Sequence, residues 1–340
     1  MQIGSPSGLE PLRKYLFDHA TANGYAFPGD GILITNGCQQ AIDLLRRALV
    51  RRGDKVAVED PVYPGLRNVF VEAGAELVGI PTSGTGIDLE ALRRALESGV
   101  RTVVVTPSFQ NPTGSTMPEE NRSALVSLAR LAGAVLIEND LYSELAWSKA
   151  PGPRLKSLDP NVICLGSFSK IAFPGLRVGW VIAPQPVISR LTEFKQLSDL
   201  HTDQLSQAFL LRFATSGRLE AHQRGAIAAG REKGKALAQA CRAHLTGCTY
   251  KIPEGGLNMW VELPPGMDAA ALRGLAQQAG VDFYPGRYFA VTRAHDSGLR
   301  LSFGGLSATD IRRGVELLGG VIQRAVNARG SGLTMPQAII

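Results

Sequence analysis

Between Gly31 and about Val181 the chain alternates short apolar runs with longer segments whose apolar residues recur at helical spacing. The apolar runs predict strands at Ile32 to Thr35, Lys55 to Glu59, Ala75 to Ile80, Thr102 to Thr106, Val135 to Glu138, Val162 to Gly166 and Val178 to Ile182. Strands of this kind belong to a largely parallel sheet buried under helices on both faces. Between them, Gln39 to Arg51 carries Ile42, Leu45 and Leu49 on one helical stripe, and Pro118 to Ala132 opens on the residue that a first helical turn tolerates best. The expected fold class is α/β, a mostly parallel seven-stranded sheet flanked by helices. After Ala183-Pro184 the pattern becomes that of long helices to about Leu245, including the polar stretch Gln196 to Gln207. A smaller α+β unit follows, with strands at Gly256 to Leu263 and Leu299 to Phe303 and helices at Ala269 to Ala279 and Ala308 to Val326. Ligands of such sheets bind at the carboxyl ends of the strands.

The length, 340 residues, suits two domains, one large and one small. A hydrophobic content of 44% and a mean hydropathy of +0.02 are those of a soluble globular protein. No apolar run is long enough to span a bilayer, and Met1 to Pro6 lacks the basic and apolar regions of a secretory leader, so a cytoplasmic location and no membrane partner are expected. Cys38, Cys164, Cys241 and Cys248 are scattered and the five histidines do not cluster, which argues against a disulfide framework or a zinc site. The net charge of +6 comes from 36 basic and 30 acidic residues spread along the chain, and no nucleic-acid partner is expected.

Candidate chemistry sits where the predicted strands end. Gly166-Ser167-Phe168-Ser169-Lys170 sets a lysine behind two hydroxyls, and Pro174-Gly175-Leu176-Arg177 follows on a turn that enters the next strand. This looks like the lysine anchor of a pyridoxal 5'-phosphate (PLP) enzyme. A lysine that condenses with an aldehyde needs partial burial to be neutral part of the time, while Ser167, Ser169 and the Arg177 fork suit a phosphate dianion. Gly37-Cys38-Gln39-Gln40 opens a helix whose N–H groups can face an anion, or it is an ordinary strand-to-helix turn. Tyr63 lies between two prolines, presented to cover a heteroaromatic ring or packed on the core rim. Asn111, in the loop Asn111-Pro112-Thr113-Gly114, can donate its amide to a phenolate oxygen or cap a turn. Asp140 and Tyr142 point the same way if the backbone after Ile137 stays extended, which offers a carboxylate for a pyridine nitrogen and a phenol for the ring oxygen; a cap and a buried tyrosine are the plainer alternative. In Leu299 to Phe303 the alternation turns Arg300 away from the apolar face, either to bind a carboxylate or simply to be solvated.

Together these strings resemble the fold-type I PLP-dependent aminotransferases of class I/II, in the branch that holds aminoadipate and aromatic aminotransferases and the C-terminal domain of MocR-type (GntR-family) regulators. The resemblance covers about Gly4 to Val326 and rests most on Ser167-Phe168-Ser169-Lys170 with Pro174-Gly175-Leu176-Arg177, on Asn111 to Gly114 and on Glu138 to Tyr142. It implies the PLP-dependent transferase fold type I. It divides the chain into an N-terminal segment at 1–25 packed with the small domain, a large PLP-binding domain at 26–215, a small domain at 216–328 and a flexible tail at 329–340. It also implies that Lys170 carries PLP, that Asp140 pairs with the pyridine nitrogen, and that Asn111 and Tyr142 hold the ring oxygen. Tyr63 stacks on the ring, Cys38, Gln39, Ser167, Ser169 and Arg177 surround the phosphate, and Arg300 takes the substrate carboxylate. Members are typically homodimers with the sites at the interface.

Two departures stand out. The family's N-terminal arm is missing ahead of Gly4, with Ile3 where a tyrosine is frequent, and Cys38 stands where a serine is usual. The expected activity is amino-group transfer between an L-amino acid and a 2-oxo acid, with Lys170, Asp140 and Tyr142 as catalytic residues. The alternative is a PLP-binding effector domain of a MocR-type regulator without its DNA-binding part. A PLP lyase or decarboxylase on the same fold is a weaker third.

Overall fold

The structure is a computed structural model, and it describes residues 3–330. Its large sheet contains β1 (Asp30–Thr35), β2 (Lys55–Asp60), β3 (Glu76–Ser83), β4 (Gly86–Ile87), β5 (Thr102–Val105), β6 (Val135–Asn139), β7 (Ile163–Ser167) and β8 (Gly179–Pro184). They lie in the order β1-β8-β7-β6-β5-β2-β3-β4. The run from β7 through β6, β5 and β2 to β3 is parallel, and β8 is antiparallel to both β7 and β1. All seven expected strands are present. The eighth, β4, is a two-residue antiparallel addition to β3 at the sheet edge, too short to show any period.

Helices α1 (Glu10–Ala22), α2 (Gly37–Leu49), α3 (Pro64–Glu72), α4 (Leu89–Glu97), α5 (Glu119–Leu131), the single turn α6 (Leu155–Leu158), α7 (Gln185–Asp199) and α8 (Gln204–Thr215) surround this sheet. One face is closed by α2, α3 and α7. Ala41, Ile42, Leu45, Leu66, Phe70 and Leu191 pack there on Val56, Val58, Val104, Ile137, Leu165 and Val181. The other face is closed partly by α1 and α8 and partly by α4 and α5.

The N-terminal segment meets the large sheet: helix α1 buries Leu12, Leu16 and Ala20 against Ile32, Ile34, Trp180, Ile182, Leu210 and Ala214, and Leu219, from the start of the region expected as the small domain, joins the same cluster. Its apolar stripe needed a sheet face, and the face of β1 and β8 left uncovered by α7 supplies one.

The long α9 (Arg218–His244) leads into a second sheet of β9 (Thr249–Tyr250), β10 (Asn258–Glu262), β11 (Tyr284–Pro285) and β12 (Gly298–Ser302), ordered β11-β12-β10-β9. With α10 (Ala269–Gln278) and α11 (Ala308–Gly330) it encloses its own core, in which Met259, Val261, Leu299, Leu301 and Phe303 meet Leu237, Leu272, Leu318 and Val321. Beyond residue 330 the expected tail lies outside the described residues. Among the described residues, no helix is long and apolar enough to cross a membrane.

Asp60, at the carboxyl end of β2, ties the two sheets together. Its carboxylate accepts hydrogen bonds from the backbone N–H groups of Val291, Thr292 and Arg293, from the Thr292 hydroxyl and from His295 Nε2 at 2.7 Å. Burial opposes its charge, but these donors outweigh it and hold the Asp60 carboxyl well below the ordinary range.

Candidate active site

A cavity of about 160 Å³ opens at the carboxyl ends of β5, β6 and β7, in front of the first turn of α2. Its lining brings together Cys38, Gln39, Tyr63, Asn111, Tyr142, Ser167, Ser169, Lys170 and Arg177, and adds Ile42, Thr106, Asn139 and Leu141.

One end of the cavity is built for an anion. Helix α2 starts at Gly37 with no side chain capping it, so its dipole and first N–H groups are directed at the cavity. Gly37 has φ +76, and a Cβ there would strike the Arg177 guanidinium; only glycine allows that approach. Arg177 itself is held in the left-handed region at φ 53, and its Nη1 donates to Ser169 Oγ at 3.1 Å and to the Pro174 carbonyl at 3.2 Å. Ser167 Oγ accepts from the Ser169 N–H at 3.1 Å and donates to the Val178 carbonyl. The Cys38 thiol donates to the Gly166 carbonyl at 3.2 Å, and burial pushes it up to about 12, so its Sγ is a committed neutral donor. The Gln39 amide is likewise engaged, on the Gly65 carbonyl at 2.7 Å. Lys195 lies outside the cavity lining, buried and ion-paired with Asp199 at 2.8 Å.

At the mouth, Lys170 extends from the turn after β7, with its Nζ 6.0 Å from the centre of the Tyr142 ring. Partial burial, then the charges of Arg177 and Arg300, push its ammonium below the ordinary lysine value and raise the share of free amine. Burial pushes the Tyr142 phenol up to about 12, against the opposing charge of Arg300 and the Asn111 hydrogen bond, so at neutral pH it is a proton donor. Asn111 links two groups, since its side chain bonds to Tyr142 and its Oδ1 accepts from Arg300 Nη1 at 2.9 Å. Arg300 comes from β12 of the small sheet. Its guanidinium carbon lies 4.7 Å from the Tyr284 ring centre and 4.9 Å from that of Phe289, and its Nε is buried without a partner. The Tyr63 ring, 42% exposed, covers Gly65 at the rim.

Asp140 departs from expectation. The strand ends at Asn139 and a 3-10 turn begins at Ser143, so the extended backbone assumed between Asp140 and Tyr142 does not exist. Asp140 lies outside the cavity lining. Its Oδ2 accepts from Arg154 Nε at 2.5 Å and from Ser143 Oγ at 2.7 Å, its Oδ1 is buried without a partner, and the residue borders a void of about 10 Å³, room for roughly one water. Arg154 stacks on the Tyr25 ring at 4.1 Å and pairs also with Glu144. The residue that β6 sends into the cavity is Asn139, which is 5% exposed. Period-two counting from Ile137 places it there, but a strand apolar on both faces does not show which parity faces the ligand.

A doubly covered, mostly parallel sheet with a lysine, an arginine and an uncapped helix start converging at its carboxyl edge has the architecture of the fold-type I class. The chain belongs to the aminotransferase class I and II family, which matches residues 2–318. It is 35% identical over 329 residues to the 2-aminoadipate transaminase of Thermus thermophilus, covering 94% of this chain and 81% of that protein. The solved α-aminoadipate aminotransferase LysN of the same species, complexed with N-(5'-phosphopyridoxyl)-L-leucine, superposes with a TM-score of 0.88 at 33% identity, over 96% of this chain and 84% of that one. The HTH-type transcriptional regulator YdfD of Bacillus subtilis is 31% identical over 94% of this chain, which spans 66% of that protein. The family is PLP-dependent, and the protein is a PLP-dependent aminotransferase. The residues present fit the cofactor: the cavity lining holds the Arg177 guanidinium and serine hydroxyls at one end, Lys170 at the mouth and a polar atom left without a partner on Asn139.

Proposed function

We propose that the cavity holds PLP with its phosphate between the start of α2, Ser169 and Arg177, and its aldehyde carbon at Lys170, and that it moves an amino group between an L-amino acid and a 2-oxo acid. What supports this most is the convergence of Lys170, Arg177, Asn111 and Tyr142 on one cavity from three separate parts of the chain. The cofactor, when bound, supplies an electron sink for the charge that develops at the substrate Cα. Arg300 receives the substrate carboxylate on its free edge, with Asn111 holding its other side. The Tyr142 phenol donates to the ring oxygen. The Lys170 amine, kept partly neutral, takes the Cα proton and returns it on the other carbon. Tyr63 closes the outer face. Binding the family's likeness to this site also brings a homodimer, for which exposed Phe173 and Phe209 beside the Lys170 turn offer an apolar face; solution mass measurement tests it.

The test is the visible absorbance of the protein with added PLP, wild type beside Lys170→Ala, before and after 2-aminoadipate, glutamate and aromatic amino acids. A Lys170-dependent band that converts with one of them supports transfer and ranks the substrates. A band that forms and never converts favours the second function, an amino-acid-sensing domain, which the regulator relatives support.

A further inference from the structure

One wall of the cavity carries a neutral amide where a charged acid was expected. In adjacent strands, Val104, Ile137 and Leu165 pack on α2, and the residues two positions further along each strand direction, Thr106, Asn139 and Ser167, line the cavity on that same face. Asn139 Nδ2 donates to Thr106 Oγ1 at 3.3 Å, while its Oδ1 is buried and has no partner. In PLP the ring nitrogen lies across the ring from the carbon that bears the aldehyde. Lys170 takes the aldehyde end, Ser169 and Arg177 the phosphate, and Asn111 with Tyr142 the ring oxygen. Among the lining side chains, Asn139 and Thr106 are the polar ones left for the nitrogen. Asp140, whose Oδ1 is also without a partner, lies outside the cavity lining, beside a separate void, and is held there through Oδ2 by Arg154 and Ser143.

From this we infer that Asn139, a neutral carboxamide, is the group this protein presents to the pyridine nitrogen, and that Asp140 serves the fold. The inference rests on the PLP reading of the cavity and sharpens it. A carboxylate at that position would favour a protonated ring by direct charge attraction, whereas an amide offers only a dipole in either of its orientations. The bound ring is therefore held largely unprotonated at neutral pH. Such a ring is a weaker electron sink, so the cofactor is bound firmly through its phosphate and lysine while the proton-transfer step runs slowly.

The ring nitrogen can be read directly by NMR of the holoprotein prepared with cofactor isotopically labelled at that atom. The expected result is an unprotonated signal in the wild type and a protonated one in Asn139→Asp, with the same signal as wild type in Asp140→Asn. Conversion of the absorbance band by a saturating amino acid should accelerate about tenfold or more in Asn139→Asp, the effect of roughly one pKa unit of added charge stabilisation. A protonated signal in the wild type that is lost in Asp140→Asn would overturn the inference, and it requires no folded Asn139 variant to be seen. If labelled cofactor gives no Lys170-dependent band in the wild type, the cofactor site itself is wrong and the inference falls with it.

Discussion

Along β6 the odd residues Val135, Ile137 and Asn139 face α2 and the cavity, whereas the even residues Leu136 and Glu138, with Asp140 just past the strand end, face the layer behind, where α6 begins. The first face ends in a neutral amide with an unused oxygen. The second ends in two carboxylates with dedicated partners: Glu138 accepts from the backbone N–H groups of Leu155 and Lys156 at 2.8 and 3.0 Å, and Asp140 pairs with Arg154. The second face thus carries charge paired with a cation, although Asp140 Oδ1 itself has no partner, and the first carries neutral polarity open to a ligand. Neighbouring residues in one strand serve these opposite ends because the pleat separates them by the full thickness of the sheet.

The comparison breaks most severely at Arg154. Arg154→Ala leaves Asp140 and Glu144 buried without their cation, and chemical denaturation should show a loss of about 3–5 kcal/mol. Pairing it with Asp140→Asn should recover part of that loss, because the two changes remove one interaction. A full and additive loss in the double variant would mean that Arg154 matters for packing on Tyr25 more than for charge.

The rear face also sets a pH dependence. Burial, with Asp140 alongside, pushes Glu138 up to about 7, and burial pushes Glu59 up to about 8, both from an ordinary value of 4.5. Each binds its proton more tightly in the folded state than in the unfolded one. The stability they contribute is complete below pH 4.5 and is lost as the pH rises through about 7 and 8. Glu138→Gln should flatten the lower part of that decline by about 1–3 kcal/mol, read from unfolding free energies measured across this range. An unchanged slope would show that Glu138 stays ionised on its two backbone donors.

The smallest effect is expected on the cavity face. Cys38→Ser exchanges a thiol that already donates to the Gly166 carbonyl for a hydroxyl able to do the same. PLP affinity, measured by titrating the absorbance band, should change by no more than about 0.5 kcal/mol. A much larger gain would mean that the anion cradle draws on the side chain at this position and not on backbone N–H groups alone.

By itself the sequence determined the parallel strands, the lysine turn and the arginine fork. Each of these is written in short-range pattern: apolar runs closed by turn residues, Ser167 to Lys170 on one turn, and Arg177 on the next. The tertiary structure decided the rest. It joined Arg300 to Asn111 across 189 positions of chain, and it laid α1 on the large sheet because an uncovered face was there. It also chose Asn139 over Asp140 for the cavity. A strand buried on both sides has no polar alternation to mark its ligand face, so only the packed layers show that Asn139 meets the cavity while Asp140 meets Arg154.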